Sequence, residues 1–361
     1  MKKHAIIPIF IPHIGCGHAC VFCDQRQITA RSGMPTIDEA RETIETWLTT
    51  LGDVPEVEIS FFGGSFTGIP VELQREYLSL AKEYKDAGRV TGIHMSTRPD
   101  YIDDDILDLL CDMTVDAVEL GVQSFDDEVL RLSKRGHDAE TARRAARMIK
   151  ARGITLGIQL MIGLPGDSLE ACVYSARETV KLEPELARLY PTLILPGTEL
   201  HDMYLAGRYT PLTREEAVLR TKEMYEILMD AGINIMRVGL KSTEIISSER
   251  LGDLNKGTYH PAFRQLVESE IAKERVSALL DEYIAGMPAS GTAADGTAAT
   301  GTAGASRPRV TVLTSPEWFS NLIGQHGEAR DALRKKYGAL DPEFSYDPAL
   351  TGCEFRIEPK R

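Results

Sequence analysis

At 361 residues, with 43% hydrophobic and 26% charged side chains, the chain can bury a large core and is not a disordered polypeptide. Six cysteines in this length exclude a disulfide scaffold. A formal net charge of −13 argues against the chain as a whole binding polyanions nonspecifically, but leaves room for a local basic face.

In chain order, strand patterns at Ala5–Phe10, Val57–Phe62, Val90–Ser96, Ala117–Val122, Thr155–Ile162, Leu186–Pro191 and Ile233–Val238 alternate with helical ones. The helical runs are Thr36–Leu51, Val71–Ala87, Asp103–Cys111, Ala139–Ala151, Leu169–Leu182 and Arg214–Ala231. Asp38 and Glu39 suit the first turn of the first helix. Such alternation implies βαβ units and a parallel sheet. Six units with a seventh strand trailing point to an α/β fold, a partial TIM-type (β/α)6 barrel over residues 1–240. A doubly wound open sheet has the same local pattern, and periodicity alone does not separate the two. Either way, ligands bind at the carboxyl ends of the strands. Residues 241–288 read as a mostly helical bridging region and 289–306 as a flexible Gly/Ala/Thr linker. Residues 307–361 are then a small α+β module.

Three of the six cysteines fall in Cys16-Gly-His-Ala-Cys20-Val-Phe-Cys23, while Cys111, Cys172 and Cys353 are scattered singly. Spacings of four and three let one loop wrap its sulfurs around an iron cluster and leave one iron without a protein ligand. An open coordination site marks a catalytic metal centre. A zinc site completed by His13 or His18 is the other reading, though no second cysteine knuckle accompanies it. Met1-Lys2-Lys3 and the apolar run to Cys16 share features with a lipoprotein leader, but Pro8, Pro12 and His13 interrupt that run. No run reaches the ~18 apolar residues of a membrane helix. The expectation is a cytoplasmic protein with no membrane partner.

A cysteine loop of this spacing after a first strand resembles the defining motif of the radical S-adenosylmethionine (SAM) superfamily, over roughly residues 5–240. The resemblance implies a 4Fe–4S cluster on Cys16, Cys20 and Cys23, with SAM chelated at the open iron. One electron, from a partner such as flavodoxin or ferredoxin, would cleave SAM to methionine and a 5′-deoxyadenosyl radical. Gly63, Gly64 and Ser65 look like that family's Gly-Gly-Glu turn, which receives the SAM amino group; Ser65 stands where the acid is usual. Arg98, at the mouth of the third strand, is either a surface ion-pair residue or a ligand for a carboxylate or phosphate. Glu119, Gly121 and Gln123 alternate with apolar residues and so share the interior face of one strand. A bound ligand would satisfy their polar groups. The run Gly121-Val-Gln123-Ser with Arg135-Gly-His137 is similar to one in the oxygen-independent coproporphyrinogen oxidases and the Elongator catalytic subunit. By that likeness Gln123 contacts the SAM ribose and Arg135 its carboxylate. Gln159 stands where the coproporphyrinogen enzymes carry a ribose-binding Asp, and an amide can make similar hydrogen bonds. Gly163, with Gly166, either allows close approach to the adenine or simply caps the strand.

Ser96–Asp100, Val118–Ser124 and Leu189–Tyr209 look most like the radical SAM half of the Elongator catalytic subunit, which modifies wobble uridines in tRNA. That family's acetyltransferase domain and cysteine-rich knot are not expected within these residues, so the acetyl donor does not carry over. In the terminal module, Val310–Leu313 reads as a strand, Glu317–Leu322 and Glu328–Tyr337 as helices, and Gly324-Gln325-His326-Gly327 as the turn between them. Two short strands follow near Phe344 and Phe355. This order is that of a KH module, whose GxxG turn clamps single-stranded nucleic acid, with Arg330 and Arg334 on the next helix. A plain structural cap with a glycine turn has the same signature. Residues 307–361 carry nine basic and eight acidic side chains, a balance of +1 against −14 for the rest. The favoured expectation is a radical SAM enzyme acting on RNA, tRNA foremost. A coproporphyrinogen-oxidase-like enzyme of small molecules and a non-catalytic iron–sulfur RNA-binding or sensor protein stay open. Oligomeric state is not legible.

Overall fold

A computed structural model describes residues 3–11, 16–17, 19–24, 33–240, 254–255, 257–287 and 309–360. The expected linker, 289–306, lies outside them. The chain divides into two compact units, Met1–Pro261 and Ala262–Arg361.

The first unit is built on seven parallel strands paired in sequence order: β1 (His4–Ile11), β2 (Glu56–Gly63), β3 (Gly92–Thr97), β4 (Ala117–Gln123), β5 (Thr155–Ile162), β6 (Leu186–Pro191) and β7 (Asn234–Val238). The sheet curls into a half-barrel with helices around it, which decides the partial barrel over the open doubly wound sheet. The helices are α1 (Ile37–Leu51), α2 (Val71–Asp86), α3 (Asp104–Asp112), α4 (Asp127–Leu132), α5 (Ala139–Ala151), α6 (Leu169–Lys181), α7 (Glu199–Leu205) and α8 (Arg214–Asp230). Side chains with local hydrogen-bonding capacity start them. Thr36 with Glu39 and Thr213 with Glu216 form reciprocal capping boxes on α1 and α8. Asp103, Asp126, Asp138, Ser168 and Thr198 cap α3 to α7. The short helices α4 and α7 have too few turns to show a 3.6-residue period, and the sequence expectation missed both.

The period of two along each strand sorts residues between two faces. On β1, Ala5, Ile7, Ile9 and Ile11 are buried and the residues between them only half-buried. The alternation along β4 is broken by one irregularity near its carboxyl end. The β4–β5 register shifts between Gly121 and Gln123, and Gln123 takes a φ of 73°. A bulge of this kind re-aims a side chain, and a non-glycine residue at positive φ is strained.

The second unit has a three-stranded sheet of order β10-β8-β9: β8 (Arg309–Thr314) lies parallel to β9 (Glu343–Tyr346) and antiparallel to β10 (Phe355–Lys360). It also has α9 (Phe263–Ala285), α10 (Phe319–Ile323) and α11 (Glu328–Lys336). One core joins Val276 and Leu280 of α9 to Val310, Val312, Leu322, Leu333, Tyr337 and Leu340. The compact unit thus starts upstream of the module expected over residues 307–361. Helix α9, read as part of a bridge, covers the terminal sheet, and the unit begins at Ala262. The physical reason is that a sheet this small cannot bury one face with two short helices alone.

Candidate active site

The carboxyl ends of β1 to β5 carry the residues that the sequence singles out. Past β1, Cys20 is buried, while Cys16 and Cys23 are half-buried. The loop is tied down by backbone bonds from Val21 N to Ser133 O (3.2 Å), Leu200 N to Val21 O (2.7 Å) and Cys23 N to Cys20 O (3.1 Å). Val21 packs with Ile194, Leu200 and Tyr209. The glycine turn after β2 lies against this loop: Gly63 pairs with Ile11, Gly64 N donates to Ile11 O at 2.6 Å, and Ser65 Oγ is 3.4 Å from Cys16 Sγ.

Two guanidinium groups converge on the middle cysteine. Arg135 Nη1 is 3.2 Å and Arg98 Nη1 3.8 Å from Cys20 Sγ. Arg135 Nη2 also donates to Gly121 O, while its Nε is buried without a hydrogen-bond partner. Arg98 is not a surface residue; it is 2% exposed and forms a bidentate pair with Asp100 at 2.9 and 2.8 Å. Burial works against its charge, but the Asp100 bonds and nearby sulfurs outweigh that and raise its pKa. Asp100 is likewise opposed by burial, yet its bond to Arg98 holds it below the ordinary carboxylate value. His137, next to this pair, is pushed down to about 4 by burial and by the Arg135 cation. Across the barrel mouth Gln159 Nε2 donates to Gln123 Oε1 at 2.9 Å. Gly121 leaves the space these groups use. A Cβ there would stand 2.9 Å from Gln123 Nε2 and 3.1 Å from Arg135 Nη2.

Residues 10–178 match the family model of the radical SAM superfamily, and residues 184–273 match that of the radical SAM C-terminal domain. The chain carries a radical SAM domain followed by the C-terminal domain of that family. It is 28% identical to a tRNA uridine(34) acetyltransferase of Methanocaldococcus infernus, over 59% of this chain and 48% of that one. It is 25% identical to Elongator complex protein 3 of Schizosaccharomyces pombe, over 76% of this chain and 61% of that one. The chain thus spans about half the length of the first of these relatives. Among solved structures, the archaeal Methanocaldococcus infernus Elp3 with an N-terminal deletion superposes with a TM-score of 0.54 at 22% identity. That likeness covers 70% of this chain and 62% of that one, and it shows a shared fold.

Radical SAM membership implies a 4Fe–4S cluster and SAM. Among the described residues no three Cys, His, Asp or Glu side chains close on one point as a single-ion site would need. His13 and His18, on which the zinc alternative depends, lie outside those residues. A four-iron cluster makes a different demand, because its ligands attach to different irons. The donor chemistry fits it: two cationic N–H groups directed at one sulfur suit a thiolate better than a thiol. The orphaned Arg135 Nε fits a carboxylate that no described residue supplies.

Glu119 does not wait for a ligand. Its Oε1 accepts from Ser96 Oγ at 3.1 Å, and Oε2 lies 2.7 Å from Arg188 Nε in a pair that is almost wholly buried. Arg188 also stacks over Phe62, 4.7 Å from the ring centre, and reaches the Tyr190 hydroxyl at 3.2 Å. The sequence expectation missed this lining, although Arg188 and Tyr190 two apart on an otherwise apolar strand were its signal. It also missed Asp167, which accepts from Gly163 N (2.7 Å) and Cys172 Sγ (3.1 Å). Tyr209 Oη holds the other side of that turn through Gly163 O at 2.7 Å.

In the second unit the expected GxxG turn does link α10 to α11. Gly324 (φ 75°) and Gly327 (φ 83°) are buried, Gln325 is half-buried and His326 is exposed. Arg330 pairs with Asp331 at 2.8 Å, and exposed Arg334 lies 5.8 Å from the Phe344 ring centre. Among the described residues no helix is long and apolar enough to cross a membrane.

Proposed function

We propose that this radical SAM enzyme modifies RNA, with tRNA as its substrate. The observation that carries the SAM chemistry is the convergence of Arg98 and Arg135 on Cys20 beside the Gln123–Gln159 pair. In this reading Cys16, Cys20 and Cys23 hold the cluster and leave one iron for SAM. Arg135 receives the SAM carboxylate on its free Nε. The Gly63–Gly64 backbone takes the amino group, Gln123 and Gln159 the ribose, and the Gly163 turn the adenine. When bound, the cluster supplies the electron that cleaves SAM to methionine and a 5′-deoxyadenosyl radical. The buried Glu119–Arg188 pair, with Tyr190 beside it, braces the barrel wall beneath. The tRNA assignment is supported by the relatives named for tRNA uridine(34), and the reducing chemistry suits a cytoplasmic enzyme served by flavodoxin or ferredoxin.

We further assign the second unit to RNA docking, through Gln325 and His326 at the tip of the GxxG turn and Arg330 and Arg334 beyond it. Anaerobic reconstitution with dithionite and SAM should yield 5′-deoxyadenosine. An intact cluster that releases none sinks the catalytic assignment. Crosslinking to tRNA and nucleoside profiling of a deletion strain test the substrate, because an unchanged nucleoside profile would favour a small-molecule substrate. Replacing Gln325 and His326 with Asp sets anionic charge against the phosphates while Asp tolerates left-handed backbone. Undiminished tRNA crosslinking by that variant would remove the docking role.

A further inference from the structure

The end of β3 and the segment after it meet the cysteine loop and its surroundings at several positions. Thr97 Oγ1 is 2.6 Å from Thr67 Oγ1, Arg98 faces Cys20, and the Tyr101 hydroxyl accepts from Gly17 N at 2.7 Å. Arg98 Nη2 also donates to Arg135 O at 2.6 Å, so one guanidinium braces the backbone that presents the other. Its plane lies 5.6 Å from the Tyr101 ring centre. An Arg–Asp pair gains little from burial, since removing both charges from water is costly. Burial here delivers something a surface pair would not: a fixed cation beside one particular sulfur.

We propose that Arg98 and Asp100 form a positioning pair that sets how readily the cluster takes its electron. Arg98 favours the reduced state through its N–H and charge at Cys20 Sγ, and Asp100 partly cancels that charge. The inference rests on the reading of Cys16, Cys20 and Cys23 as the cluster ligands. Reduction adds one negative charge to the group those sulfurs hold, and hydrogen bonds and cations at the sulfurs favour the more negative state. One electron enters from an external one-electron reductant; Arg98 exchanges no proton, and no bond is made or broken. Arg135 is different in kind, because its free Nε leaves it to share its charge with SAM.

The test is a redox titration of the reconstituted full chain without SAM, with dithionite as reductant, read by the paramagnetic resonance of the reduced cluster. Arg98→Met should lower the reduced-to-oxidised ratio at fixed potential about tenfold, which is about 59 mV for a one-electron couple. Arg98→Lys should restore most of that loss, and Asp100→Asn should shift the ratio the other way. A merely structural pair would not give opposite signs. Coincident titrations of wild type, Arg98→Met and Asp100→Asn overturn the inference, as do shifts of the same sign in both variants. If Arg98→Met holds no iron, Asp100→Asn, which retains Arg98, decides by the same criterion. A wild type that takes up no cluster, judged by iron content and visible absorbance, overturns the cysteine reading and this inference together. A shift that fails with the cluster present overturns this inference alone.

Discussion

Gly121→Ala separates what the barrel needs to fold from what it needs to bind SAM. The added Cβ would meet only the tips of two flexible side chains, Gln123 Nε2 at 2.9 Å and Arg135 Nη2 at 3.1 Å; the next neighbour, Thr97 O, is at an ordinary 3.6 Å. Ala in a strand gains about 0.5–1 kcal/mol over Gly, and displacing two side-chain ends costs a similar amount. Stability should therefore stay within about 1 kcal/mol of wild type. Binding should not. Both displaced groups are assigned to SAM, and a hydrogen bond to a charged group is worth about 1.5–3 kcal/mol. Losing one such bond weakens affinity roughly 10- to 100-fold. Equilibrium dialysis of SAM against the anaerobically reconstituted protein, paired with thermal unfolding, reads both quantities. A Kd within threefold of wild type at unchanged Tm would refute the placement of Gln123 and Arg135. A fall in Tm matching the loss of affinity would make the effect one of folding.

Three further outcomes follow from the geometry. Phe61 is 2% exposed, with its ring 4.7 Å from Phe66 and 6.0 Å from Tyr77, so Phe61→Ala should cost about 3–5 kcal/mol in urea unfolding. A loss below about 1 kcal/mol would mean the site collapses to fill the cavity. His137 has a folded pKa of about 4, below its ordinary 6.5, so the unfolded chain binds more protons between those values. Stability of the apoprotein should fall as pH drops through that window, by up to about 3 kcal/mol, and His137→Gln should flatten the fall. An unaltered pH profile in the variant would assign the acid sensitivity elsewhere. Gly324→Ala combines a φ of 75° with a Cβ 2.7 Å from the Ala329 backbone N and Cβ, so it should destabilise the second unit by about 1–3 kcal/mol. Calorimetry should show the loss, and tolerance of Ala would mean that α11 shifts freely.

The opposite fates of two pairs of residues show how far the sequence reaches. Gln123 and Arg135 stand in a run whose likeness to known SAM-binding residues is visible one residue at a time, and the structure brings both to the strand ends beside the cysteine loop. Arg98 and Glu119 are equally visible, yet their partners depend on what the fold brings near. Asp100 lies two residues from Arg98, but only burial turns that neighbour into an obligatory pair. Glu119 meets Arg188 from two strands away, through a register in which Glu119 faces Gly157 on β5 and Arg188 faces Gln159. Gly157 has no side chain to fill the space beside Glu119.

By itself the sequence determined the strand and helix order, the cysteine spacing and the chemistry that spacing allows, because periodicity, caps and ligand count are local properties. Only the tertiary structure decided that the parallel sheet curls, that Gln123 is re-aimed by a bulge, and that α9 belongs to the terminal unit. It also decided that two cations face Cys20. Each depends on which surfaces are removed from water together, and an amphipathic pattern says that a face is buried without saying against what.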